Sequence, residues 1–300
     1  MKVKAVYAAP ALLLAVFLCN LGIRNIPEST LGSQNDPYIV MSLIQLFVIA
    51  VPAMIFCRLR GGDYMKKLRL KPPSPSHAAF MLFALLFLFF GSAGINYLVY
   101  TAFPDANPYV AYDSSSGVGG GLYLVLTMAI LPAITEEFLF RGVVVAEYES
   151  KGVPAAVFMS SVTFAMLHFS ITGLPAYLFS GLVLAAVLYT TRSVFAAMIV
   201  HMLNNTATIF FGDLVYRVVS SQGVTLFCIV LITLILLSAI LMFGESERIY
   251  TGYGVLNEDS SYAGKRRRGA GTAGLFQSIV NPVFAALVIL YIIAAATATA

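Results

Sequence analysis

Two adjacent glutamates lie in the middle of an apolar segment, which reads Met128-Ala-Ile-Leu-Pro-Ala-Ile-Thr-Glu-Glu-Phe-Leu-Phe-Arg-Gly142. A charged side chain in the centre of a membrane segment costs on the order of 2.5–3.5 kcal/mol on insertion scales. Neither Glu136 nor Glu137 is needed to form a helix. Their presence therefore indicates that another group compensates their charge and that a function uses at least one of them.

The residue that can compensate one of these carboxylates is Arg141. It follows Glu137 by four residues, so the two side chains lie on the same face of a helix and can form an ion pair. Adjacent residues on a helix are about 100° apart, so Glu136 must point elsewhere, and we expect it to face a cavity. The Glu137–Arg141 pair has two interpretations: an ion pair that only stabilises the fold, or a support for a functional site.

Two of the three histidines also lie in apolar segments. His168 follows Phe164 by four residues, so the aromatic ring can pack against the imidazole; taken alone, such a histidine is typical of packing or an interhelical hydrogen bond. Asn205 follows His201 by four residues and can orient its imidazole or donate a separate hydrogen bond. Asn204 is expected to point away from this face.

Glu136, His168 and His201 are ligands of the types that hold a catalytic zinc with one open position. The same groups also suit a reaction without metal, in which Glu136 and His168 activate a water while His201 and Asn205 stabilise an oxyanion. Both interpretations remain open at this point. The third histidine, His77, follows Pro72-Pro-Ser-Pro-Ser and is predicted to lie at the surface.

The three motifs together resemble those of a known family. Glu136-Glu137-x-x-x-Arg141, Phe164-x-x-x-His168 and His201-x-x-x-Asn205 occur in this order, about 33 residues apart, in a polytopic membrane chain. This pattern is similar to that of the CPBP family, the CAAX proteases and bacteriocin-processing proteins, also called the Abi family. The resemblance covers residues 120–212.

The resemblance implies an all-helical intramembrane peptidase whose site lies in a membrane cavity and whose substrate is a hydrophobic or membrane-anchored peptide, CAAX-like or bacteriocin-like. It implies that Glu136 and His168 activate the water, and that the remaining motif residues complete or support the site: His201, Asn205, Glu137 and Arg141. Two other functions fit intramembrane Glu, His and Arg: a non-catalytic immunity or partner-binding protein, and an ion-coupled transporter. No internal repeat of the kind common in transporters is visible.

Composition predicts an all-α polytopic bundle. The chain is 59% hydrophobic and 11% charged, with a mean hydropathy of +0.87, whereas soluble domains have about 25% charged residues. We predict one integral membrane domain over residues 1–300 with about eight or nine transmembrane helices, and a catalytic core over 120–212. The predicted helices are 5–22, 38–57, 78–102, 121–147, 154–170, 174–190, 194–212, 223–243 and 276–296.

Charges between these segments predict the orientation. Residues 58–71 and 244–275 are rich in Lys and Arg, whereas residues 103–120 carry Asp105 and Asp113 and no base. The positive-inside rule then predicts a cell-membrane protein with a cytoplasmic N-terminus, and a mobile, basic cytoplasmic loop over 244–275. The net charge of +4 is explained by such anchors, so lipid, and not nucleic acid, is the expected partner of the basic residues.

Overall fold

The computed structural model describes residues 5–24, 37–103, 120–256 and 270–298. Within these ranges every regular element is helical and no strand occurs. Six of the helices are long and apolar enough to cross a membrane. The prediction of an all-α polytopic membrane bundle is therefore confirmed, and the protein is an integral membrane protein.

The described part of the chain contains ten helices, and two of them include π-helical segments. Helix α2 joins Pro37–Ile44, the π-helical Gln45–Ala50 and Val51–Arg60. Helix α4 joins Gly120–Val125, the π-helical Leu126–Ile130, Leu131–Glu137, the π-helical Phe138–Val144 and Val145–Tyr148. The 3-10 turn Glu149–Lys151 follows helix α4. The others are α1 Ala5–Arg24, α3 Ala78–Ala102, α5 Val153–Leu167, α6 Leu174–Thr191, α7 Val194–Gln222, α8 Val224–Leu256, α9 Ala270–Ile279 and α10 Pro282–Ala298.

All nine predicted segments are helical, but they differ in length. A seventh crossing arises if Thr272–Ile279 and Pro282–Thr297, which meet at 59°, count as one broken span. Two apolar helices are shorter, Tyr7–Ile23 and Val153–Leu167. Helix α5, with 15 residues, is about 22 Å long, whereas the hydrocarbon layer is about 30 Å thick. Helix α5 alone is therefore too short to cross this layer completely.

Two apolar cores hold the bundle together. The first joins α1, α2, α4, α5 and α10, and the second joins α3, α6, α7 and α8. Helices α5 and α6 approach closely at Gly181, where an added Cβ would lie 2.8 Å from the Cα of Ser161. Small residues permit such close backbone contacts between membrane helices. Residues of α4, α5, α6 and α7 line one cavity in this bundle.

Two expectations about the segments between the apolar spans need correction. The basic loop predicted over 244–275 is wrong at both ends, because helix α8 continues to Leu256 and helix α9 begins at Ala270. Its basic run, residues 265–268, lies outside the described residues. His77 is not a surface residue either: it is 6% exposed, and its Nε2 lies 3.3 Å from the hydroxyl of Tyr253. The end of helix α8 covers this turn, since Tyr253 contacts His77 and Arg248 donates to the carbonyl oxygen of Ser76.

Candidate active site

A cavity of about 730 Å³ opens between the helices of the bundle. Its walls include four of the predicted site residues, and the other two lie behind them. The four in the wall are Glu136, His168, His201 and Asn205, and the two behind are Glu137 and Arg141. As the angle between adjacent helical residues predicts, Glu136 and Glu137 point in different directions. The carboxylate of Glu136 faces the cavity, and that of Glu137 lies behind the cavity wall.

The predicted ion pair between Glu137 and Arg141 forms inside the bundle. The Nη1 of Arg141 donates to the Oε1 of Glu137 over 2.8 Å, and both side chains are fully buried. The Nη2 of Arg141 donates to the carbonyl oxygen of Gly181 over 3.0 Å. Because Gly181 lies on α6, the guanidinium joins α4 to the helix hairpin that follows it.

Glu137 also holds His201 from behind. The same Oε1 atom accepts a hydrogen bond from the Nδ1 of His201 over 2.9 Å. Since a carboxylate oxygen accepts, this contact puts a proton on Nδ1 and leaves Nε2 as the nitrogen available to another group. A buried carboxylate that accepts from an imidazole in this way fixes its tautomer and orientation. The ion pair is thus connected to the cavity wall through one imidazole.

His168 lies just beyond the C-terminus of helix α5 and is held on three sides. Its Nδ1 lies 3.0 Å from the carbonyl oxygen of Phe164, so Nδ1 carries a proton and Nε2 remains free to accept. The imidazole stacks on the ring of Tyr177, with centroids 3.7 Å apart and planes 16° apart. The next residue, Phe169, has φ 48°, a conformation that is uncommon for residues other than glycine. Its ring packs against Phe17 of helix α1, at a centroid distance of 5.1 Å.

The ring of Phe164 contacts three ionisable side chains of the site. It lies 5.1 Å from the imidazole of His168 and 5.7 Å from that of His201. The guanidinium of Arg141 lies 4.6 Å from its centroid, within cation–π distance. The predicted packing of Phe164 on His168 is therefore present. Because this ring is 2% exposed and contacts both imidazoles, it helps to hold their orientations.

Glu136 has a hydrogen-bond donor that sequence inspection missed. The Nε2 of Gln45 on helix α2 donates to its Oε1 over 2.9 Å, and the Oε1 of Gln45 accepts from the hydroxyl of Thr135 over 2.6 Å. The sequence did indicate that Gln45 could belong to the site, because it is a polar residue inside the apolar span 38–57. Glu136 is likewise a polar residue inside an apolar span. Tyr177 and Gly181 gave no comparable signal.

Asn204 was expected to point away from the face of His201 and Asn205, but the structure places it in the cavity wall. It lines the same cavity as Asn205, and its Oδ1 is buried without a hydrogen-bond partner in the described part of the protein. More than one face of α7 lines the cavity, since the adjacent residues Asn204 and Asn205 both line it. Along the helix, the cavity reaches Gly212. It also reaches α1 and α3 at Asn20 and Asn96, so its walls extend beyond residues 120–212.

Glu136, His168 and His201, the predicted zinc ligands, do not form a compact group. Within the described ranges, no three side chains of His, Cys, Asp and Glu are grouped closely enough to hold a metal ion. Glu136, His168 and His201 line one cavity, but they do not converge on a single coordination point. With Nδ1 protonated in both histidines, each Nε2 can accept a hydrogen bond from a water, and only a protonated imidazole could donate one to a carbonyl oxygen.

Comparison with known proteins agrees with the motifs. Residues 119–207 match the model of the family described as Rce1-like, Type II CAAX prenyl endopeptidase Rce1-like. All six predicted site residues lie within this match. No curated protein and no solved structure matches the chain. The match confirms the family resemblance that the three motifs indicate.

Proposed function

We propose that this membrane protein, whose residues 119–207 match the type II CAAX prenyl endopeptidase Rce1-like family, is an intramembrane endopeptidase. It hydrolyses a peptide bond in a hydrophobic or membrane-anchored substrate. The observation that carries the proposal is the cavity wall shared by Glu136, His168, His201 and Asn205. A volume of about 730 Å³ lies within the range of pockets that enclose a ligand segment, roughly 300–1,000 Å³.

The proposed reaction begins with a water between Glu136 and His168. Glu136 takes a proton from the water, and the Nε2 of His168 accepts a hydrogen bond that orients it. The water oxygen then bonds to the carbonyl carbon of the substrate. When the tetrahedral intermediate collapses, the C–N bond breaks and the leaving nitrogen takes the proton from Glu136, giving a carboxylic acid and an amine.

His201 and Asn205 are proposed to stabilise the oxyanion of that intermediate. An amide N–H of Asn205 and the Nε2–H of a protonated His201 are donors of the required type. The contact between Glu137 and the Nδ1 of His201 supports this role, because it holds the imidazole with Nε2 as the nitrogen left for the substrate. Of the two roles that the sequence left open for Asn205, we therefore propose the separate hydrogen bond, because Glu137 contacts the imidazole of His201.

Replacement of Asn205 by alanine tests the oxyanion assignment. We expect turnover to fall by about 10²- to 10³-fold, the usual cost of removing one oxyanion donor. Because an amide is a poor zinc ligand, the metal content of the purified protein should stay unchanged. Steady-state kinetics and metal analysis of the same sample measure both quantities. Thr206→Ala, at the adjacent position on α7, is a matched control that should retain turnover; equal losses in the two variants contradict the assignment.

Zinc remains a prediction from the donor set of Glu136, His168 and His201, and it can be measured directly. We propose the metal-free form of the reaction, because the side chains as arranged suit hydrogen bonding to water. We therefore expect turnover to survive exhaustive chelation in detergent. About one zinc per chain, together with loss of turnover on chelation and recovery on adding zinc back, contradicts this form of the mechanism and supports the zinc site.

Substrate discovery tests the function itself. Membranes from cells that lack the active protein are incubated with the purified protein or with its Glu136→Gln variant, and peptide ends are compared by mass spectrometry. New ends that appear only with the wild-type protein, within or beside apolar segments, support the proposal. Proton-coupled uptake in vesicles without any cleavage contradicts it and favours a transporter.

The cytoplasmic N-terminus is proposed from the charged loops, and protease accessibility of a terminal tag tests it.

A further inference from the structure

Gln45 connects the cavity-facing carboxylate to a helix outside the matched region. It is the first residue of the π-helical segment Gln45–Ala50 in α2, and it lines the cavity together with Glu136. Its Nε2 donates to Glu136 over 2.9 Å, across 91 residues of sequence. Single π-helical turns occur often at functional sites, because the wider turn redirects side chains.

Thr135 determines which way the amide of Gln45 points. Its hydroxyl lies 2.6 Å from the Oε1 of Gln45, closer than its distances of 3.0 and 3.3 Å to the carbonyls of Leu131 and Pro132. A hydroxyl has one hydrogen, and the shortest contact is the one to Gln45. If the amide were reversed, its oxygen would face the carboxylate of Glu136 with no hydrogen between them. The chain Thr135 to Gln45 to Glu136 therefore has one consistent direction.

The hydrogen bonds from Thr135 to Gln45 and from Gln45 to Glu136 leave one carboxylate oxygen of Glu136 for the proposed reaction. Oε1 is held by Gln45, so Oε2 is the atom left to take a proton from a water. Glu136 and Thr135 are 5% and 3% exposed, so a side chain without this bond would have few polar groups to orient it. A hydrogen bond from a neutral donor to a charged acceptor is worth more than one between neutral groups.

We propose that Gln45 is a positioning residue for Glu136, and that Thr135 acts through Gln45. The proposal rests on the proposed function, because it assumes that Glu136 accepts the proton of the attacking water. It adds helix α2 to the machinery, although that helix lies outside the region that matches the family. Gln45 acts on the rate of the chemical step and not on substrate binding.

A double-mutant cycle tests this arrangement. Gln45→Met keeps the length of the side chain and removes both polar atoms, and we expect it to lower kcat by about 10- to 100-fold with KM within about twofold. Thr135→Val keeps the shape of the side chain and is expected to lower kcat by about 3- to 10-fold, whereas Thr135→Ser keeps the hydroxyl and should restore the wild-type rate. In the Gln45→Met background, Thr135→Val should cost nothing further.

Matched controls separate positioning from folding. Thr163 is a buried threonine whose hydroxyl bonds only to carbonyls of its own helix, and Gln277 is exposed; Thr163→Val and Gln277→Met should keep the wild-type kcat. If Gln45→Met does not fold, Gln45→Glu and the two Thr135 variants carry the test. A wild-type kcat in Gln45→Met or Gln45→Glu overturns the proposal, as does a Thr135→Val loss that adds fully to that of Gln45→Met.

Failure of this inference is distinguishable from failure of the proposed function. Glu136→Gln is measured beside the Gln45 variants on the same substrate. An inactive Glu136→Gln with fully active Gln45 variants overturns only the positioning role. A fully active Glu136→Gln overturns the proposed function, and the positioning role with it.

Discussion

Replacing Glu136 by glutamine is expected to lower turnover by about 10²- to 10⁴-fold, the contribution of a well-placed general base, while the protein stays folded in the membrane. The amide has nearly the shape of the carboxylate, but it cannot take a proton from water. The measurement is single-turnover cleavage of an identified substrate by purified protein in detergent. Glu149→Gln is the matched control, because Glu149 follows the end of the same helix α4 and pairs with Arg69 over 2.6 Å, away from the cavity.

The two cavity histidines extend the same expectation. His168→Ala and His201→Ala should each remove cleavage with expression intact, since one orients the water and the other stabilises the oxyanion. His77→Ala is the matched control, because His77 is also buried but contacts Tyr253 and does not line the cavity. Full activity in Glu136→Gln, His168→Ala or His201→Ala contradicts the assignment of a peptidase site.

Helical spacing explains how much of this site could be predicted from the sequence. Separations of four residues put Glu137 beside Arg141 and Phe164 beside His168, and the structure has both contacts. The 100° between neighbours correctly separated Glu136 from Glu137. These contacts are local, so the period of a helix is enough to predict them.

Contacts between helices explain what could not be predicted. Gln45 reaches Glu136 from another helix, and Glu137 reaches His201 across 64 residues. No period in the sequence encodes which face of α2 meets α4, because that depends on packing. The same reason applies to Asn204: its face of α7 was unknown until the position of the cavity was known.

The fold shows the same division between local and non-local information. Apolar composition predicted nine helical segments, since a membrane span needs a run of about 20 apolar residues, but it did not separate helix α9 from helix α10. Composition did not predict where helix α8 ends, because residues 244–256 are polar and yet continue the helix. Near its end, Tyr253 contacts His77, and the guanidinium of Arg192 lies 3.9 Å from the ring of Tyr253. Such tertiary contacts stabilise helical turns that composition assigns to a loop.

Removal of Arg141 is expected to destabilise the fold by about 3–5 kcal/mol, the usual cost of leaving one buried charge without its partner. Arg141→Met keeps much of the apolar side-chain volume, but Glu137 then lies fully buried beside one imidazole only. The double variant Glu137→Gln/Arg141→Met should recover much of this loss, because it leaves neither charge of the pair buried. Its turnover should nevertheless stay low, since the carboxylate that accepts from the Nδ1 of His201 is gone.

The free energy of unfolding in detergent and the turnover of the folded fraction separate these two effects of the Arg141 variants. Arg248→Met is the matched control: Arg248 pairs with Glu245 over 2.6 Å, but its side chain is 52% exposed, and surface pairs contribute about 0–1 kcal/mol. Wild-type stability in Arg141→Met would show that the pair does not support the fold. Wild-type turnover in the double variant would show that Glu137 does not act through His201. If stability is recovered without turnover, the pair between Glu137 and Arg141 holds the bundle together, and the contact between Glu137 and His201 serves the reaction.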